Sequence, residues 1–379
     1  MIENLRLSSS GPLQETELRS LGRINVVCGR NNSGKSTLLL AAADRARATV
    51  GKHLTADDVQ RIFEDSCAEM PWDREYPILR GEFQQIIEDV SSTRDLWWRN
   101  EHQEFYRDIA NRISGNGLLS GYGTLPRQAI FNAFRTVFPT FPTVLVIPAK
   151  RSLPLTDAIN SGQQVSPHGS GILNRLFYLK NQITHTAEYQ RYIDVRQAFE
   201  SISSGFSFDV LLVEGNHLTL HFSTPSGDWI DAASAGLGLQ DLLVLLYLSL
   251  EPAYEVLHIE EPESHLHPEF QRKLLNFLRH STNKQYFLTT HSNVFLDVNL
   301  VDRVFFTSHR GHINVDDATS RATILNDLGY EVTDNLVSDL VILVEGPSDS
   351  AFLQAILGKT SFAGERVIKY WPLGGDNME

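Results

Sequence analysis

The residues that could most directly do chemistry begin with a glycine-rich run near the start of the chain. The sequence GRNNSGKST occupies residues 29–37 and follows the apolar run INVVC. A strand that leads through G-x-x-x-x-G-K-[ST] into a helix forms a P-loop, in which backbone N–H groups and the helix N-terminus surround a phosphate. The lysine adds a point charge, and the serine hydroxyl ligates Mg²⁺. The predicted nucleotide-binding residues are Gly29, Asn31, Asn32, Ser33, Gly34, Lys35, Ser36 and Thr37, with Ser36 also a metal ligand.

Two adjacent glutamates follow a second strand-like run, VLHI at residues 256–259. Carboxylates at the C-terminal end of a parallel strand lie where α/β sheets bind ligands. Because side chains alternate along a strand, the two acids are expected to point in different directions. Glu260 is predicted to hold Mg²⁺, and Glu261 to orient and polarise the water that attacks a γ-phosphate.

Three histidines after the glutamate pair are further candidates for function. His291 ends a third strand-like run, FLTT, about thirty residues after Glu261. A histidine at such a position can hydrogen-bond a γ-phosphate and respond to its loss, although a lone strand-end histidine is more often structural. His265 and His267 could also be read as a metal pair, but a zinc site needs further ligands at a suitable spacing.

A second group of acidic residues lies in VILVEGPSD, residues 341–349. A buried-strand pattern leads into Glu345, a glycine turn and then Asp349, and a helix-like stretch follows. Carboxylate oxygens suit a hard cation such as Mg²⁺, which can activate water for phosphodiester cleavage. The alternative for Glu345 is a plain strand-end acid at a turn.

Composition limits the classes of protein that fit these motifs. The 379 residues can form two domains, or one large domain with an insertion. Two cysteines exclude a disulfide framework. The sequence has no basic-then-apolar leader and no apolar run long enough to cross a bilayer, so we expect a cytoplasmic protein without a membrane partner. A net charge of −13 argues against a surface coated for nucleic acid, but a local basic groove is enough for DNA binding.

Hydrophobic patterns place the motifs on alternating strands and helices. Residues 53–142 are mostly helical in pattern, which predicts an insertion, and residues 153–203 are a candidate dimerisation segment. The other predicted elements are strands at Ile2–Leu7, Thr16–Leu18, Ile24–Cys28, Thr143–Ile147, Phe208–Val213 and Leu218–Phe222, and helices at Ser36–Ala48, Tyr189–Ser201 and Leu242–Leu250.

Taken together, these segments resemble the ATP-binding-cassette (ABC) ATPase superfamily, in the soluble branch with the Rad50, RecF and SMC proteins. Within that branch they resemble the OLD (overcoming lysogenization defect) family, which includes the Gabija A subunit of phage defence. The resemblance rests on the segments GRNNSGKST, IPAKR at 147–151, SAGLGLQ at 234–240, IEEPESHLHP at 259–268, TTHS at 289–292 and VEGPSD at 344–349. In IPAKR, Lys150 and Arg151 either approach phosphate or DNA or form surface ion pairs.

The resemblance implies a composite ATP site shared between two copies of the chain. Ser234 and Gly236 would contact the γ-phosphate held by the P-loop of a second protomer. Residues 264–267 would form the D-loop, with His267 in place of the usual aspartate, and His291 would be the switch histidine. The signature segment departs from LSGGQ, so it supports this contact between copies less strongly than the P-loop supports the contact within one copy.

The same resemblance treats VEGPSD as the opening of a Toprim domain. Glu345 would be a metal ligand and general acid or base, and Asp349 a metal ligand, with Mg²⁺ or Mn²⁺ as the metal. Thirty residues follow Asp349, and they contain no later Asp-x-Asp element. We therefore expect the Toprim part to be incomplete in this chain, so that it does not cut DNA by itself.

The predicted fold class is α/β: an ABC-type P-loop ATPase domain with a mostly helical insertion at 1–335, followed by the start of a Toprim domain at 336–379. The predicted function is the ATP-binding and ATP-hydrolysing module of an OLD-family DNA endonuclease in antiphage defence or DNA metabolism. The implied partners are DNA, a second copy or higher homo-oligomer, and a helicase or other defence-system protein. The alternative is an ATP-dependent clamp or sensor scaffold that regulates a partner effector without cutting DNA.

Overall fold

A computed structural model describes residues 1–52, 57–58, 61, 64–65, 96–98, 141–160, 162–297, 299–317, 340–344, 346–357 and 368–372. The chain divides into two compact units, Met1–Ala318 and Thr319–Glu379. The predicted boundary at residues 335 and 336 lies outside the described residues. So does almost all of the predicted insertion, 53–142, whose helical character stays a prediction.

The first unit contains fourteen described strands and five described helices. The strands are β1 (Asn4–Leu7), β2 (Thr16–Leu18), β3 (Ile24–Cys28), β4 (Ala48–Lys52), β5 (Leu96–Trp98), β6 (Val144–Ile147), β7 (Thr156–Ala158), β8 (Ser207–Val213), β9 (His217–Ser223), β10 (Trp229–Asp231), β11 (Val256–Glu260), β12 (Gln285–Thr290), β13 (Arg303–His309) and β14 (Ile313–Asp317). The helices are α1 (Lys35–Ala43), α2 (Ile172–Lys180), α3 (Ala187–Ile202), α4 (Leu237–Ser249) and α5 (Pro268–His280), with 3₁₀ turns at Ala232–Ser234 and Asn293–Leu296.

A six-stranded sheet in the order β14-β13-β3-β12-β11-β6 carries the predicted motifs. All neighbours in it pair in parallel except β14, which runs antiparallel to β13 at one edge. Every residue of β3 and β12 is buried, as expected for parallel strands covered on both faces. Because parallel strands end at one edge of a sheet, β3, β11 and β12 bring the P-loop, the glutamate pair and His291 to the same side.

Two antiparallel sheets flank this framework. One has the order β2-β1-β4-β5, and the other contains β10, β9 and β7, with β8 paired along the whole length of β9. Gly215 and Asn216 take φ values of 79° and 59° in the β8–β9 hairpin. These left-handed values suit glycine and asparagine in a tight turn, so the predicted antiparallel pair is confirmed.

The predicted helix Ser36–Ala48 is too long. Helix α1 ends at Ala43, because Asp44 takes an extended conformation and its Oδ1 accepts a hydrogen bond from the Ala46 N–H at 2.9 Å. The chain then enters β4, which pairs with β1 from Ala48 to Gly51. Alanine favours helix locally, but this pairing with a distant strand decides the structure of Ala48.

The second unit contains a β–α–β segment. Its described elements are β15 (Leu340–Val344), α6 (Pro347–Leu357) and β16 (Ile368–Pro372), and β15 pairs in parallel with β16. A helix that connects two parallel strands is the basic repeat of an α/β domain. A strand, turn and helix around VEGPSD agree with the predicted pattern.

Candidate nucleotide-binding site

The P-loop joins β3 to α1 through backbone conformations that require glycine. Gly29 has a φ of 154° and Gly34 a φ of 100°. A Cβ at Gly34 would lie 2.4 Å from Cδ1 of Ile313, and one at Gly29 would lie 2.5 Å from the carbonyl oxygen of Thr307. The loop can therefore turn this tightly only without side chains at these two positions.

Lys35 lies inside the curve of the loop. Its side chain is buried, and its Nζ donates hydrogen bonds to the carbonyl oxygens of Gly29 at 3.0 Å and Arg30 at 3.1 Å. Burial lowers the pKa of Lys35, while the negative charge of Glu261 acts in the opposite direction. Gly34 is the N-cap of α1 and, having no side chain, cannot cap it through one, so the positive end of the helix faces this loop. These features fit a bound polyphosphate.

The other side of the loop is held by β13. Oγ of Ser33 lies 2.7 Å from Oγ1 of Thr307, which also donates to the carbonyl oxygen of Cys28 at 3.3 Å. Ser33 is predicted to bind nucleotide, and this contact shows that its hydroxyl also fixes the loop. Asn31, Asn32 and Ser36 are exposed, and Asn32 has a left-handed φ of 62°.

The two adjacent glutamates have different surroundings. Glu260 ends β11, and its Oε2 accepts a hydrogen bond from the Ala149 N–H at 3.3 Å. Glu261 follows the strand with a left-handed φ of 43°, and its Oε2 accepts from Oγ of Ser264 at 3.4 Å. The two side chains therefore differ in direction because the backbone conformation changes at Glu261, and not only because side chains alternate along a strand. Both glutamates are half-buried.

His291 is positioned by a third acid, Glu263, that motif spacing did not identify. Oε1 of Glu263 accepts hydrogen bonds from the His291 N–H at 2.6 Å and from Oγ1 of Thr290 at 2.8 Å. Burial lowers the pKa of His291 and Lys35 lowers it further, whereas Glu261 and Glu263 raise it. A glutamate two residues after the acidic pair could have been noted in the sequence, but its contact with β12 could not.

Ser234 and Gly236 lie at the exposed start of α4. Gly236 is the N-cap of this helix, and a Cβ at Gly236 would meet no atom of the described residues within 4 Å. An uncapped helix start on the surface can accept an anion from another molecule. The contact of these residues with a second protomer remains a prediction.

The histidines of the HxH segment have separate roles. Nδ1 of His265 lies 2.8 Å from Oδ2 of Asp241, whereas Nδ1 of His267 caps α5 by accepting from the Glu269 N–H at 3.3 Å. Within the part of the chain that the structure describes, no group of three or more His, Cys, Asp or Glu side chains could hold a metal ion. A zinc pair is therefore not supported by the described residues.

One of the two alternatives for Arg151, a surface ion pair, is wrong. Its side chain is buried and bonds to backbone carbonyls near the glutamate pair, so it neither faces solvent nor forms a surface ion pair. The sequence could not predict this burial, because it depends on distant segments that pack over the end of β6.

In the second unit, Asp349 lies in the first turn of α6. Its Oδ2 accepts a hydrogen bond from the Gly346 N–H at 3.0 Å, which closes the turn after β15. Glu345 lies outside the described residues. The predicted metal site formed by these two acids is therefore still a prediction.

The P-loop after β3, the acidic pair at the end of β11 and the histidine after β12 give one mixed sheet the arrangement of an α/β P-loop nucleotide-binding domain. Residues 154–297 match the family model described as "AAA domain, putative AbiEii toxin, Type IV TA system". The chain is also 24% identical to the OLD nuclease of Thermus scotoductus over 330 residues, 79% of this chain and 60% of that protein. These matches confirm the predicted resemblance to an OLD-family ABC-type ATPase.

Other relatives have less specific names. An uncharacterized protein of Methanocaldococcus jannaschii is 24% identical over 268 residues, which are 63% of this chain and 31% of that protein. The chain thus spans less than two thirds of the length of both curated relatives. Two solved structures are similar: the SMC head domain of Thermotoga maritima (TM-score 0.42, 11% identity, 84% of this chain and 99% of that one) and an Smc head bound to the C-winged helix domain of ScpA (0.41, 13%, 85% and 99%).

In the residues that the structure describes, no helix is both long and apolar enough to cross a membrane.

Proposed function

We propose that this chain binds and hydrolyses ATP as the nucleotide-dependent part of an OLD-family DNA endonuclease. The observation that carries the proposal is the convergence of three strand ends: the P-loop after β3, the glutamate pair at the end of β11 and His291 after β12. Each of these supplies one of the groups that phosphoryl transfer to water requires, namely a phosphate cradle, carboxylates and a polar group near the γ-phosphate.

The residues divide this chemistry among them. The P-loop N–H groups and Lys35 would bind the β- and γ-phosphates, and Ser36 and Glu260 would hold Mg²⁺. Mg²⁺ bound there supplies charge neutralisation between the phosphates. Glu261 would accept a hydrogen bond from the attacking water, and His291 would hydrogen-bond the γ-phosphate. The negative charge of Glu261 favours the charged state of Lys35, which opposes the lowering of its pKa by burial.

The composite site would need a second copy of the chain. Ser234 and Gly236 lie on an exposed, uncapped helix start, which is the kind of surface that could meet a phosphate bound elsewhere. We propose that ATP binding joins two copies through this surface and the other copy's P-loop. The segment 153–203 is the candidate for further contacts in the proposed dimer.

The proposed output is DNA cleavage by a Toprim site that contains Glu345 and Asp349 with Mg²⁺ or Mn²⁺. Support comes from the β–α–β segment around VEGPSD and from the name of the Thermus scotoductus relative. Nucleotide state would control this site, and antiphage defence with a helicase or similar partner would be its setting. The clamp or sensor alternative shares the ATP site and omits cutting.

Two variants test the proposal and separate it from the alternative. Lys35→Ala should abolish ATP binding, and Glu261→Gln should retain binding while hydrolysis falls at least about 100-fold, as expected for loss of a group that acts mainly in the transition state. Lys273→Ala is the matched control, because Lys273 forms an exposed ion pair with Glu269 in α5.

Isothermal titration with ATP and a phosphate-release assay provide the readouts. ATP binding that is equal in wild type and Lys35→Ala would contradict the ATPase proposal. Normal hydrolysis without Mg²⁺- or Mn²⁺-dependent DNA cleavage by the full-length natural protein would favour the clamp. Cleavage unaffected by Asp349→Asn would contradict the proposed role of Asp349 as a metal ligand.

A further inference from the structure

Arg151 lies directly behind the glutamate pair, with a fully buried side chain (0% exposed). Its Nη1 donates to the carbonyl oxygens of Pro148 at 3.1 Å and Glu260 at 3.0 Å, and its Nη2 donates to that of Glu261 at 3.1 Å. The planar guanidinium can bond to all three in a fixed arrangement, which a lysine ammonium cannot reproduce. Arg151 therefore holds the backbone from which both carboxylates project.

The charge of Arg151 is balanced by Asp241 in α4. Oδ2 of Asp241 lies 3.6 Å from Nη2 of Arg151 and 2.8 Å from Nδ1 of His265. The Asp241 side chain is 9% exposed and the His265 side chain 54% exposed, so the three residues lead from the surface to the buried side of the glutamates. Burial lowers the pKa of Arg151, and the negative charge of Asp241 opposes this effect more than any other acid does.

The start of α4 lies in close contact with the His265 loop at Gly238. A Cβ at Gly238 would lie 2.6 Å from the carbonyl oxygen of His265. His265 itself has a left-handed φ of 60°, which places the loop in a restricted conformation. A displacement of the exposed helix start at Gly236 would thus be transmitted to His265, and through Asp241 to Arg151.

We propose that Arg151, Asp241 and His265 form a positioning relay between the exposed start of α4 and the backbone of Glu260 and Glu261. When another molecule meets the start of α4, the relay sets the two carboxylates for hydrolysis. The three side chains are positioning residues, because they act through backbone carbonyls of the glutamates. The relay rests on the proposed ATPase function, since hydrolysis is its output.

The test uses variants of the surface end, where loss of folding is least expected. His265→Ala should lower kcat for ATP hydrolysis at least about tenfold and change the Kd for ATP less than threefold, because the phosphate cradle stays intact. His265→Gln, which keeps a donor for Asp241, should recover part of that loss. His280→Ala is the matched control, since His280 is exposed at the far end of α5, roughly 20 Å of helix away.

A double-mutant cycle distinguishes a relay from three local effects. Arg151→Lys alone should lower kcat, and adding His265→Ala should lower it no further, because residues that act as a unit give non-additive losses. Losses that multiply would overturn the relay, and so would unchanged kcat in His265→Ala. The thermal midpoint and ATP Kd of each variant show whether it is folded. Wild type that neither binds nor hydrolyses ATP would instead overturn the proposed function.

Discussion

The backbone N–H of His291 donates a 2.6 Å hydrogen bond to Oε1 of Glu263. The same oxygen accepts from Oγ1 of Thr290, while the other oxygen, Oε2, is buried and has no hydrogen-bond partner among the described residues. A buried carboxylate oxygen without a partner is unfavourable in a site that serves only stability. Through these bonds Glu263 connects the turn after β11 to the residues at the end of β12. Its negative charge also acts on His291, whose pKa it raises.

Replacing Glu263 tests how this carboxylate influences His291. Glu263→Gln keeps an oxygen that can accept from the His291 N–H but removes the charge that raises the pKa of His291. The pKa of His291 should therefore fall further, and the acidic limb of kcat that depends on His291 should move to lower pH. The measurement is kcat for ATP hydrolysis between pH 5 and 8, with the protein verified as folded throughout.

Glu263→Ala removes the acceptor as well as the charge. Loss of a hydrogen bond to a charged group costs roughly 2 kcal/mol of stability. We expect the free energy of unfolding to fall by about that amount, and kcat to fall as well, because His291 loses the group that holds its backbone. A pH profile identical to wild type in Glu263→Gln would show that the charge of Glu263 does not act on the titrating group.

The P-loop could be predicted residue by residue because its signal is local. Glycines, a lysine and a serine at fixed spacing between a strand and a helix are sufficient, and the structure shows the required turn at Gly34. Arg151 and Glu263 could not be assigned in the same way. Arg151 bonds to the carbonyl oxygens of Glu260 and Glu261, and Glu263 accepts from the His291 N–H. In each case more than twenty residues separate the partners in the sequence.

The end of α1 shows the same limit at the level of fold. Residues 36–43 continue into further alanines and arginines that favour helix, and the sequence contains no glycine or proline until Gly51. Pairing with β1 competes with helix at Ala48 and prevails. Single-sequence patterns describe local preference, whereas strand pairing is decided by segments distant in the chain.

Removal of Mg²⁺ should abolish hydrolysis, and Ser36→Ala should increase its Mg²⁺ requirement. Loss of one hydroxyl ligand should raise the half-saturating Mg²⁺ concentration by about tenfold, which corresponds to roughly 1.4 kcal/mol. The measurement is the ATPase rate at fixed ATP across a Mg²⁺ titration, after treatment with a chelator. Ser226→Ala, in an exposed turn, is the control and should follow the wild-type curve. An unchanged requirement in Ser36→Ala would contradict its role as a ligand.

His258 should make the stability of the first unit depend on pH. It is buried in β11, and its Nδ1 contacts the carbonyl oxygen of Leu39 at 2.9 Å. Its Nε2 is buried and has no hydrogen-bond partner in the part of the chain that the structure describes. Burial lowers the pKa of His258 to about 4. Because the unfolded chain takes up a proton near pH 6.5, the folded state is fully favoured above that pH and loses stability as pH falls toward 4, by up to roughly 3 kcal/mol.

Urea midpoints at pH 7.5 and 5.0 measure this dependence. His258→Gln keeps a donor for Leu39 but cannot take up the proton, so the difference between the two midpoints should become smaller than in wild type. His280→Ala, an exposed histidine, should retain the wild-type difference. Equal pH dependence in His258→Gln and wild type would assign the acid sensitivity to other groups.

Gly238→Ala should separate helix stability from the packing of α4 against the His265 loop. Alanine favours a helix over glycine by about 1 kcal/mol, so local propensity alone predicts a more stable protein. The added Cβ would lie 2.6 Å from the carbonyl oxygen of His265, however, and one of the two segments would have to shift. We therefore expect kcat for ATP hydrolysis to fall about tenfold with little change in ATP affinity.

The matched control is Gly162→Ala, since a Cβ there would meet only the Asn160 side chain at an ordinary 3.6 Å. Steady-state kinetics and ATP titration of both variants provide the comparison. A Gly238→Ala protein that is more stable and fully active would mean that the two segments can separate without affecting Glu260 and Glu261. A loss confined to kcat would instead show that hydrolysis depends on the fit between the start of α4 and the His265 loop, even though the P-loop is unchanged.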